Sequence, residues 1–302
     1  MAFKNIAAIM EMARQRKDPK TVVVAAAESD HVLEAVMRAK KDGFIEPTLV
    51  GDEAKIRAIL NELGESIGNS KIIHSTDVKT SAYEAVQLVK HGAADFLMKG
   101  KLNTSDLLRA VLNKTDGLPH GKVVTQMTLV DLPAYHKVLV LNDAAIIPYP
   151  TLEQKVAQIQ AVTGALHTMG YGDDIKIGIV CSAEDPNPKI PESADAVEIK
   201  RMNENGEITG CIIEGPISLD IALRAENAKA KGYESPVAGD ADVLLFPNLV
   251  SGSVFIKSIQ MFSGATPVGM TLGASAPISV SSRAATADMK YYSLALTSTA
   301  VR

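Results

Sequence analysis

The sequence predicts a two-domain α/β protein in which helices cover mostly parallel sheets. Short apolar segments rich in β-branched residues alternate with amphipathic helical patterns along the chain. No extended low-complexity stretch interrupts the alternation. The 302 residues, 46% of them hydrophobic, are enough to fill two cores rather than one.

The N-terminal part of the chain predicts a doubly wound parallel sheet. An amphipathic pattern from Phe3 to Ala13 predicts a first helix. Residues 21–27 are continuously apolar, which is typical of a strand buried on both faces. Further strands are predicted at 47–51, 71–74 and 94–98, with helices at 31–41, 54–63 and 82–90.

The pattern changes after residue 122. Strands at 123–130 and 137–142 are joined by a connection too short for a helix, so we expect them to pair antiparallel. Later strands are predicted at 175–181, 209–214, 242–247, 268–270 and 277–280, and helices at 152–169, 194–203, 218–229 and 248–257. The expected domains are residues 1–125 plus 271–302, which makes the first discontinuous, and 126–270.

Composition excludes several classes of function. The net charge of −4 and the absence of Trp argue against a nucleic-acid surface. Cys181 and Cys211 are isolated in apolar segments, as expected of small buried side chains in a reducing cytosol, and the six histidines lack metal-ligand spacing. No apolar run approaches the roughly 20 residues of a membrane helix, and no signal peptide is indicated. We expect a cytoplasmic protein without a metal, a membrane or a nucleic-acid partner.

The end of the last predicted strand carries a candidate anion site. Residues 277–280 run into Ser282 and Arg283, and Thr286 follows as the predicted N-cap of a closing helix. A guanidinium fork, a hydroxyl and a helix N-terminus all favour phosphate. Asp288 falls in the first turn of that helix, where an acid is also ordinary structure.

Three other turns collect polar residues at predicted strand ends. After residues 94–98 come Lys99, Gly100, Asn103 and Thr104, where glycine permits close approach to the backbone and the next helix start supplies N–H donors. An ordinary loop with solvated lysines remains the alternative. Asn142 ends the strand at 137–142, and Ser251 and Gly252 follow the strand at 242–247.

Five segments in order resemble the motifs of the phosphate acetyl/butyryltransferase family. They are ADFLMKGKLNTSDLLR (94–109), LVLNDAAI (139–146), EGPISLD (214–220), DVLLFPNLVSGSVFIK (242–257) and SSRAATADMKYYSLALT (281–297). Together they cover most of the chain. The lysine-containing turn at Lys99 to Lys101 and the chain length are more similar to the phosphate butyryltransferase branch.

The resemblance implies both a fold and a reaction. The fold is a two-domain, three-layer α/β/α architecture similar to isocitrate and isopropylmalate dehydrogenases, with the active site in a cleft between the domains. The reaction converts an acyl-CoA, most readily butyryl-CoA, and phosphate into an acyl phosphate and free coenzyme A. Coenzyme A and phosphate take part as substrates, and no tightly bound cofactor is expected. The resemblance also implies a homodimer or higher homo-oligomer.

The resemblance also assigns roles to residues of this chain. Arg283 is the partner of phosphate, Ser282 a hydrogen-bond donor and Asp288 the general base. The substrate-binding residues it implies are Lys99, Gly100, Asn103, Thr104, Arg109, Asn142, Ser251 and Gly252. Family members often carry acids at the sixth and seventh positions after the serine; here the seventh position is Met289, which leaves the base open.

The chemistry sets a condition on any aspartate base. A thiol has a pKa near 8.5 and an aspartate near 3.9, so either burial must raise the pKa of the acid or nearby cations must lower that of the thiol. No His lies within the Ser282 motif, and no G-x-S-x-G surrounds it, so direct attack is favoured over a covalent serine intermediate.

Three other functions remain as alternatives. Acetyl-CoA could replace butyryl-CoA, because a pocket distinguishes one methylene by only about 1 to 3 kcal/mol. A dehydrogenase of related architecture is disfavoured by the absence of G-x-G-x-x-G and of a P-loop. A non-catalytic small-molecule binding protein would bind the same ligands without turnover.

Overall fold

The computed structural model describes residues 3–301 and confirms the mixed α/β class. The elements in chain order are α1 (Ile6–Arg14), β1 (Lys20–Ala25), α2 (Asp30–Lys41), β2 (Ile45–Gly51), α3 (Glu53–Glu62), β3 (Lys71–His74), α4 (Val78–Lys90), β4 (Phe96–Lys99), α5 (Thr104–Val111), β5 (His120–Val130), β6 (Leu139–Asn142), α6 (Leu152–Thr168), β7 (Ile175–Val180), α7 (Pro191–Glu204), β8 (Cys211–Ile217), α8 (Leu219–Leu223), α9 (Ala225–Ala230), β9 (Val243–Leu245), α10 (Leu249–Ser263), β10 (Val268–Ala274), β11 (Ile278–Ser279) and α11 (Ala287–Thr299).

Contacts divide the chain into two units. The first unit comprises Ala7–Gly121 and the chain from Val268 onward, and the second comprises the residues up to Ile6 together with Lys122–Pro267. Each unit has strands and helices of its own.

The first unit has the parallel sheet that the sequence predicts. Its strand order is β3-β2-β1-β4-β11-β10, and every neighbouring pair is parallel except β10 and β11. Val22, Val23 and Val24 of the central strand β1 are fully buried, because helices cover both faces of the sheet. Side chains from β1, β4, α4 and α5 form one apolar cluster on this core.

The second unit has a mixed sheet in the order β5-β6-β9-β7-β8. Strands β5 and β6 pair antiparallel, as predicted from their short connection, and the other neighbouring pairs are parallel. Residues of β5, β6, β8 and β9 pack with α8 and α9 around Leu141, Leu244 and Ile217.

The single helix predicted at 218–229 is wrong, because the structure has two helices broken at Arg224. The backbone of Arg224 is extended, with φ −132° and ψ 108°. The carbonyls of Ile221 and Ala222 accept hydrogen bonds from the N–H groups of Gly239 and Ala241, at 2.8 and 3.4 Å. A continuous helix would need those carbonyls for its own next turn, so a contact distant in sequence ends the first helix.

The turn after β4 is packed tightly against the end of β1. The N–H of Gly100 donates to the carbonyl of Ala25 at 2.9 Å, and that of Lys101 donates to the carbonyl of Ala26 at 2.6 Å. Ala26 itself has a φ of 54°, which is uncommon for a residue with a side chain. A Cβ on Gly100 would overlap the carbonyl oxygens of Ala25 and Ala26, so the fold itself requires glycine here.

We therefore expect Gly100→Ala to lower the free energy of unfolding by about 1 to 3 kcal/mol, since the added methyl cannot be accommodated without moving backbone. The matched control is Gly164→Ala in α6, where nothing lies within 4 Å of the added carbon. That variant should gain up to about 1 kcal/mol, because alanine favours the helix. Urea unfolding of both variants measures the difference, and equal stability of the Gly100 variant and the wild type would contradict the packing argument.

Candidate active site

The carboxyl ends of three parallel strands meet at one edge of the first unit's sheet. Ala25 at the end of β1 is in register with Lys99 of β4, and Met98 is in register with Ser279 of β11. The loops after β4 and β11 therefore leave the sheet side by side. This is the edge at which open α/β sheets bind ligands.

Arg283 and Asn103 connect these two loops. Nη2 of Arg283 donates a hydrogen bond to Oδ1 of Asn103, and Nδ2 of Asn103 donates to Oδ2 of Asp106 at 3.1 Å. Arg283 and the preceding Ser282 are exposed, and Oγ of Ser282 accepts a bond from the N–H of Ala284 at 3.4 Å. The guanidinium and the hydroxyl are thus accessible at the same edge of the sheet.

The start of α5 supplies the neighbouring groups. Asn103 occupies its N-cap position, but its side chain makes no capping bond because the amide is engaged by Arg283 and Asp106. Thr104 begins the helix and is half-buried. Arg109 is 71% exposed and donates to Asp106 at 2.9 Å. The bonds from Asn103 and then Arg109 lower the pKa of Asp106, and Arg109 is held on the helix surface.

Two buried lysines lie beside Arg283. Lys99 is 2% exposed, and its ammonium donates to the carbonyl of Leu102 at 3.1 Å. Lys290, on α11, is 3% exposed and donates to Oγ of Ser281 and to the carbonyl of Ser282, both at 3.1 Å. Neither ammonium takes part in any ion pair found between residues 3 and 301. Within the described residues, Lys99, Lys290 and Arg283 therefore have no carboxylate paired with them, and the nearby Asp106 is bound by Asn103 and Arg109.

This charge alters the ionisation of Lys99. Burial, and after it the positive charges of Lys290 and Arg283, together lower its pKa to about 8. Burial also lowers the pKa of Lys290. An anion bound at this edge would reverse these effects, because it favours the charged form of both lysines.

Sequence reasoning missed Lys290, although a signal for it was present. The predicted N-cap is confirmed, since Oγ1 of Thr286 accepts from the N–H of Met289 at 3.3 Å. Lys290 follows Thr286 by four residues and so lies on the same side of the helix as the cap. A lysine in the first turn opposes the helix dipole, and this unfavourable placement could have marked the residue as functional.

Asp288 is engaged elsewhere. Its Oδ1 accepts a hydrogen bond from Nη1 of Arg38 on α2 at 2.5 Å, and its side chain is 63% exposed. The guanidinium carbon of Arg38 lies 4.0 Å from the centre of the Tyr291 ring. This exposed pair supports the interpretation of Asp288 as a first-turn helix acid rather than as the general base.

In the second unit, Asn142 belongs to a buried network. Its Nδ2 donates to Oγ1 of Thr125 at 2.9 Å and to the carbonyl of Gln126 at 2.8 Å. The next residue, Asp143, accepts bonds from Thr125 at 3.0 Å and from the N–H of Ala145 at 2.8 Å. Burial raises the pKa of Asp143. These contacts give Asn142 a structural role at the end of β6.

Ser251 and Gly252 lie at the start of α10. Oδ1 of Asn248 caps this helix through the N–H of Ser251 at 3.0 Å, and Oγ of Ser251 donates to the carbonyl of Asn248 at 2.8 Å. A Cβ on Gly252 would lie 2.9 Å from Cβ of Ala144 and from the carbonyl oxygen of Asp143. Glycine is therefore required for close packing of α10, whatever binds nearby.

Ser251 and Asn248 also border an apolar pocket that the sequence did not predict. Its volume is about 660 Å³, and its walls include Cys181, Phe246 and Val254. The size and apolar lining, with a few polar groups, are typical of small-molecule pockets. Burial raises the pKa of the Cys181 thiol to about 11, so the thiol is largely protonated at neutral pH.

Two negative findings apply to the residues that the structure describes. Within residues 3–301, no three side chains of His, Cys, Asp or Glu converge in a way that could hold a metal ion. Among the helices of that same span, none combines the length and apolar character needed to cross a membrane.

These observations define an α/β protein with a cationic site at the carboxyl edge of a parallel sheet. The sequence profile described as "Phosphate acetyl/butaryl transferase" matches residues 5–83 and 68–298. Three of the five segments that resemble this family border the pocket or the cationic edge, at 94–109, 242–257 and 281–297. The chain therefore belongs to the phosphate acetyl/butyryl transferase family.

Individual relatives support the same assignment. The chain is 38% identical over 280 residues to the phosphate butyryltransferase of Clostridium acetobutylicum, covering 93% of each chain. It is 37% identical over 288 residues to the phosphate acetyltransferase of Thermotoga maritima, covering 95% of this chain and 97% of the relative. A branched-chain phosphotransacylase from Enterococcus faecalis V583 has a similar structure, with a TM-score of 0.81 at 28% identity, covering 94% of this chain and 99% of that chain.

The lowered pKa of Lys99 predicts a pH dependence of stability. Folded Lys99 loses its proton near pH 8, whereas the unfolded chain keeps it up to about 10.5. The unfolded state therefore binds more protons in this window, and stability rises with pH across it. We expect the free energy of unfolding of the wild type minus that of Lys99→Met to be constant below pH 8 and to rise between about pH 8 and 10.5. Urea unfolding at pH 7 and 10 measures this difference, and an unchanged value would contradict the assigned environment.

Proposed function

We propose that this protein transfers a short acyl group, most readily butyryl, between coenzyme A and inorganic phosphate. Acyl transfer to phosphate is the activity of the family to which the chain belongs; the butyryl preference and the residue roles are the proposed part. In the forward direction the carbon–sulfur bond of the thioester breaks and a bond forms between the acyl carbon and a phosphate oxygen. The products are the acyl phosphate and the coenzyme A thiol.

The observation that carries the proposal is the cationic edge of the first unit. Lys99, Lys290 and Arg283 lie together without a carboxylate partner among the described residues. A phosphate dianion would supply the missing negative charge, and the exposed Arg283 could bind two of its oxygens. Ser282 is proposed to donate a hydrogen bond to the transferring group. Asn103 is proposed to orient Arg283 through their direct bond.

The same positive charges could favour ionisation of the coenzyme A thiol, whose pKa lies well above that of an aspartate base. Asp288 is exposed, and its carboxylate is bound by the guanidinium of Arg38 on α2. Cations near the attacking sulfur would instead lower the pKa of the thiol and stabilise charge that develops on the carbonyl oxygen. We therefore propose direct attack by phosphate or thiolate in a ternary complex, assisted by Arg283 and the two lysines, without a covalent enzyme intermediate.

The acyl-CoA is proposed to use the apolar pocket of the second unit. The pocket's apolar walls suit the acyl chain and the less polar parts of coenzyme A, and Ser251 and Asn248 provide hydrogen bonds at its border. Gly100, Gly252 and Asn142 then act by fixing the backbone around the proposed substrate groups. Thr104 is proposed to offer its N–H at the start of α5, and Arg109 to contact substrate from the surface of that helix.

We also propose the general properties that the resemblance to the family implies. They comprise the three-layer, dehydrogenase-like architecture, a homodimer or higher homo-oligomer, a cytoplasmic location and the lack of a tightly bound cofactor. The expected cleft between the two domains stays a prediction.

The proposed activity is tested by measuring thiol release from butyryl-CoA with and without phosphate. Only a phosphate acyltransferase requires phosphate and yields an acyl phosphate, which can be trapped with hydroxylamine. Acetyl-, propionyl-, butyryl- and isobutyryl-CoA should be compared, and we expect the highest kcat/KM with butyryl-CoA. Differences of about 10- to 200-fold per methylene are the upper range for an apolar pocket. Phosphate-independent thiol release would contradict the function, and a preference for acetyl-CoA would contradict only the chain length.

Variants of Arg283 and Asp288 separate the two candidate roles. Arg283→Ala should lower kcat/KM for phosphate by about 100- to 1,000-fold with little change in melting temperature, because it removes an exposed electrostatic contact to the reacting group. Asp288→Asn should leave kcat within about threefold and cost less than about 1 kcal/mol, as for an exposed ion pair. Steady-state kinetics and thermal unfolding measure both. A folded Asp288→Asn protein without turnover would restore Asp288 as the base.

A further inference from the structure

We propose that Lys290 is a positioning residue of the phosphate site: its ammonium holds the backbone immediately before Arg283 and, with Lys99, prepares that site for a doubly charged oxyanion. This inference rests on the proposed function and adds to it a residue that the sequence analysis did not include among the catalytic or substrate-binding residues. It assigns Lys290 to phosphate recognition alone, and not to binding of the acyl-CoA.

The first support is the pair of hydrogen bonds that Lys290 makes. Its Nζ donates to Oγ of Ser281 and to the carbonyl oxygen of Ser282, at 3.1 Å each. Arg283 follows Ser282 directly, so the peptide group that leads into Arg283 is tied to α11. The buried ammonium of Lys290 thereby fixes the backbone that carries Arg283, and Asn103 binds the exposed guanidinium directly.

The second support is the contrast with other buried lysines of the chain. Lys155 has a side chain 4% exposed and pairs with Asp195 at 2.7 Å, and Lys137, 11% exposed, pairs with Asp242 at 2.7 Å. Burial of an ammonium is costly unless a negative charge accompanies it. Lys290 and Lys99 have no such partner in the described chain, although both are equally buried. If Lys290 only fixed the loop before Arg283, an uncharged hydrogen-bond donor would suffice, so its unpaired positive charge indicates an electrostatic role.

The third support is the mutual influence of Lys290 and Lys99. Lys290 on α11 and Arg283 in the loop after β11 are the charged groups that act on Lys99. On the other edge of β4, strand β1 ends in Ala25, and Glu28, three residues further on, has a carboxylate oxygen beside Gly51 of β2. Helix α4 packs alanines and valines toward the same core. Loss of the Lys290 charge should therefore raise the pKa of Lys99 from about 8.

Lys290→Met removes the charge and the hydrogen bonds but keeps most of the side-chain volume. We expect KM for phosphate to rise about tenfold or more while KM for the acyl-CoA stays within about twofold. We also expect the alkaline decline of kcat/KM for phosphate, near pH 8 in the wild type, to move to higher pH because Lys99 then stays protonated further. Lys290→Arg keeps the charge, so it should recover part of the phosphate affinity and leave the alkaline decline near its wild-type position.

Lys40→Met is the matched control. Lys40 lies on α2, and its ammonium donates to the carbonyl of Ile67 at 3.1 Å and to Oγ of Ser70. It is thus another lysine that ties a loop to a helix through a carbonyl and a serine, but it is paired with Glu46. This variant should lose stability while both KM values and the pH profile stay unchanged.

Calorimetry decides the inference independently of turnover, and the pH profile of kcat/KM adds a kinetic test. Isothermal calorimetry with inorganic phosphate should show binding to the wild type and to Lys40→Met, and binding weaker by about tenfold to Lys290→Met. Equal phosphate binding by all three proteins, or an unmoved alkaline decline in Lys290→Met with a stability loss like that of Lys40→Met, would overturn the inference. Absence of turnover by the wild type with any acyl-CoA would overturn the proposed function instead, and the calorimetry would still decide the role of Lys290.

Discussion

The candidate site depends on one feature of strand register. Strands β1, β4 and β11 are parallel neighbours that end at the same edge, so their following loops share a small region. That register brings Lys99 close to Arg283 and Lys290, although Lys99 lies far from both in the sequence. The resulting positive charge has no paired carboxylate in the described part of the chain, and the proposed recognition of phosphate rests on it.

Such a concentration of charge works against folding. Burial of Lys99, and then the nearby positive charges of Lys290 and Arg283, lower the pKa of Lys99. The surrounding contacts must offset this repulsion: the turn after β4 is tied to β1 by two backbone bonds, and Lys290 is tied to the loop after β11. Sites that bind charged ligands commonly sacrifice some stability in this way, and bound ligand restores it.

The sequence correctly predicted the features of the fold that depend on local sequence pattern. The buried strand β1, the antiparallel β5–β6 pair and the Thr286 cap follow from composition, loop length and capping chemistry. It missed features set by distant contacts. The break at Arg224 arises because residues 239 and 241 bond to carbonyls of α8. The apolar pocket beside α10 depends on which side chains of four separate segments converge. Lys290 was overlooked because its burial follows from packing.

Helix geometry explains why Lys290 and Asp288 have different surroundings. Successive residues of an α-helix are about 100° apart, so two positions separated by two residues lie on nearly opposite sides. Lys290 donates a hydrogen bond to Ser281 in the loop after β11. Asp288, on the opposite side of the helix, faces α2, where Arg38 binds it. Because only one of these positions can face the strand ends, the presence of a lysine there places the acid outside the anion site. In this chain the first turn of α11 therefore contributes positive charge near the strand ends, and the proposed activation of the thiol uses cations rather than a carboxylate base.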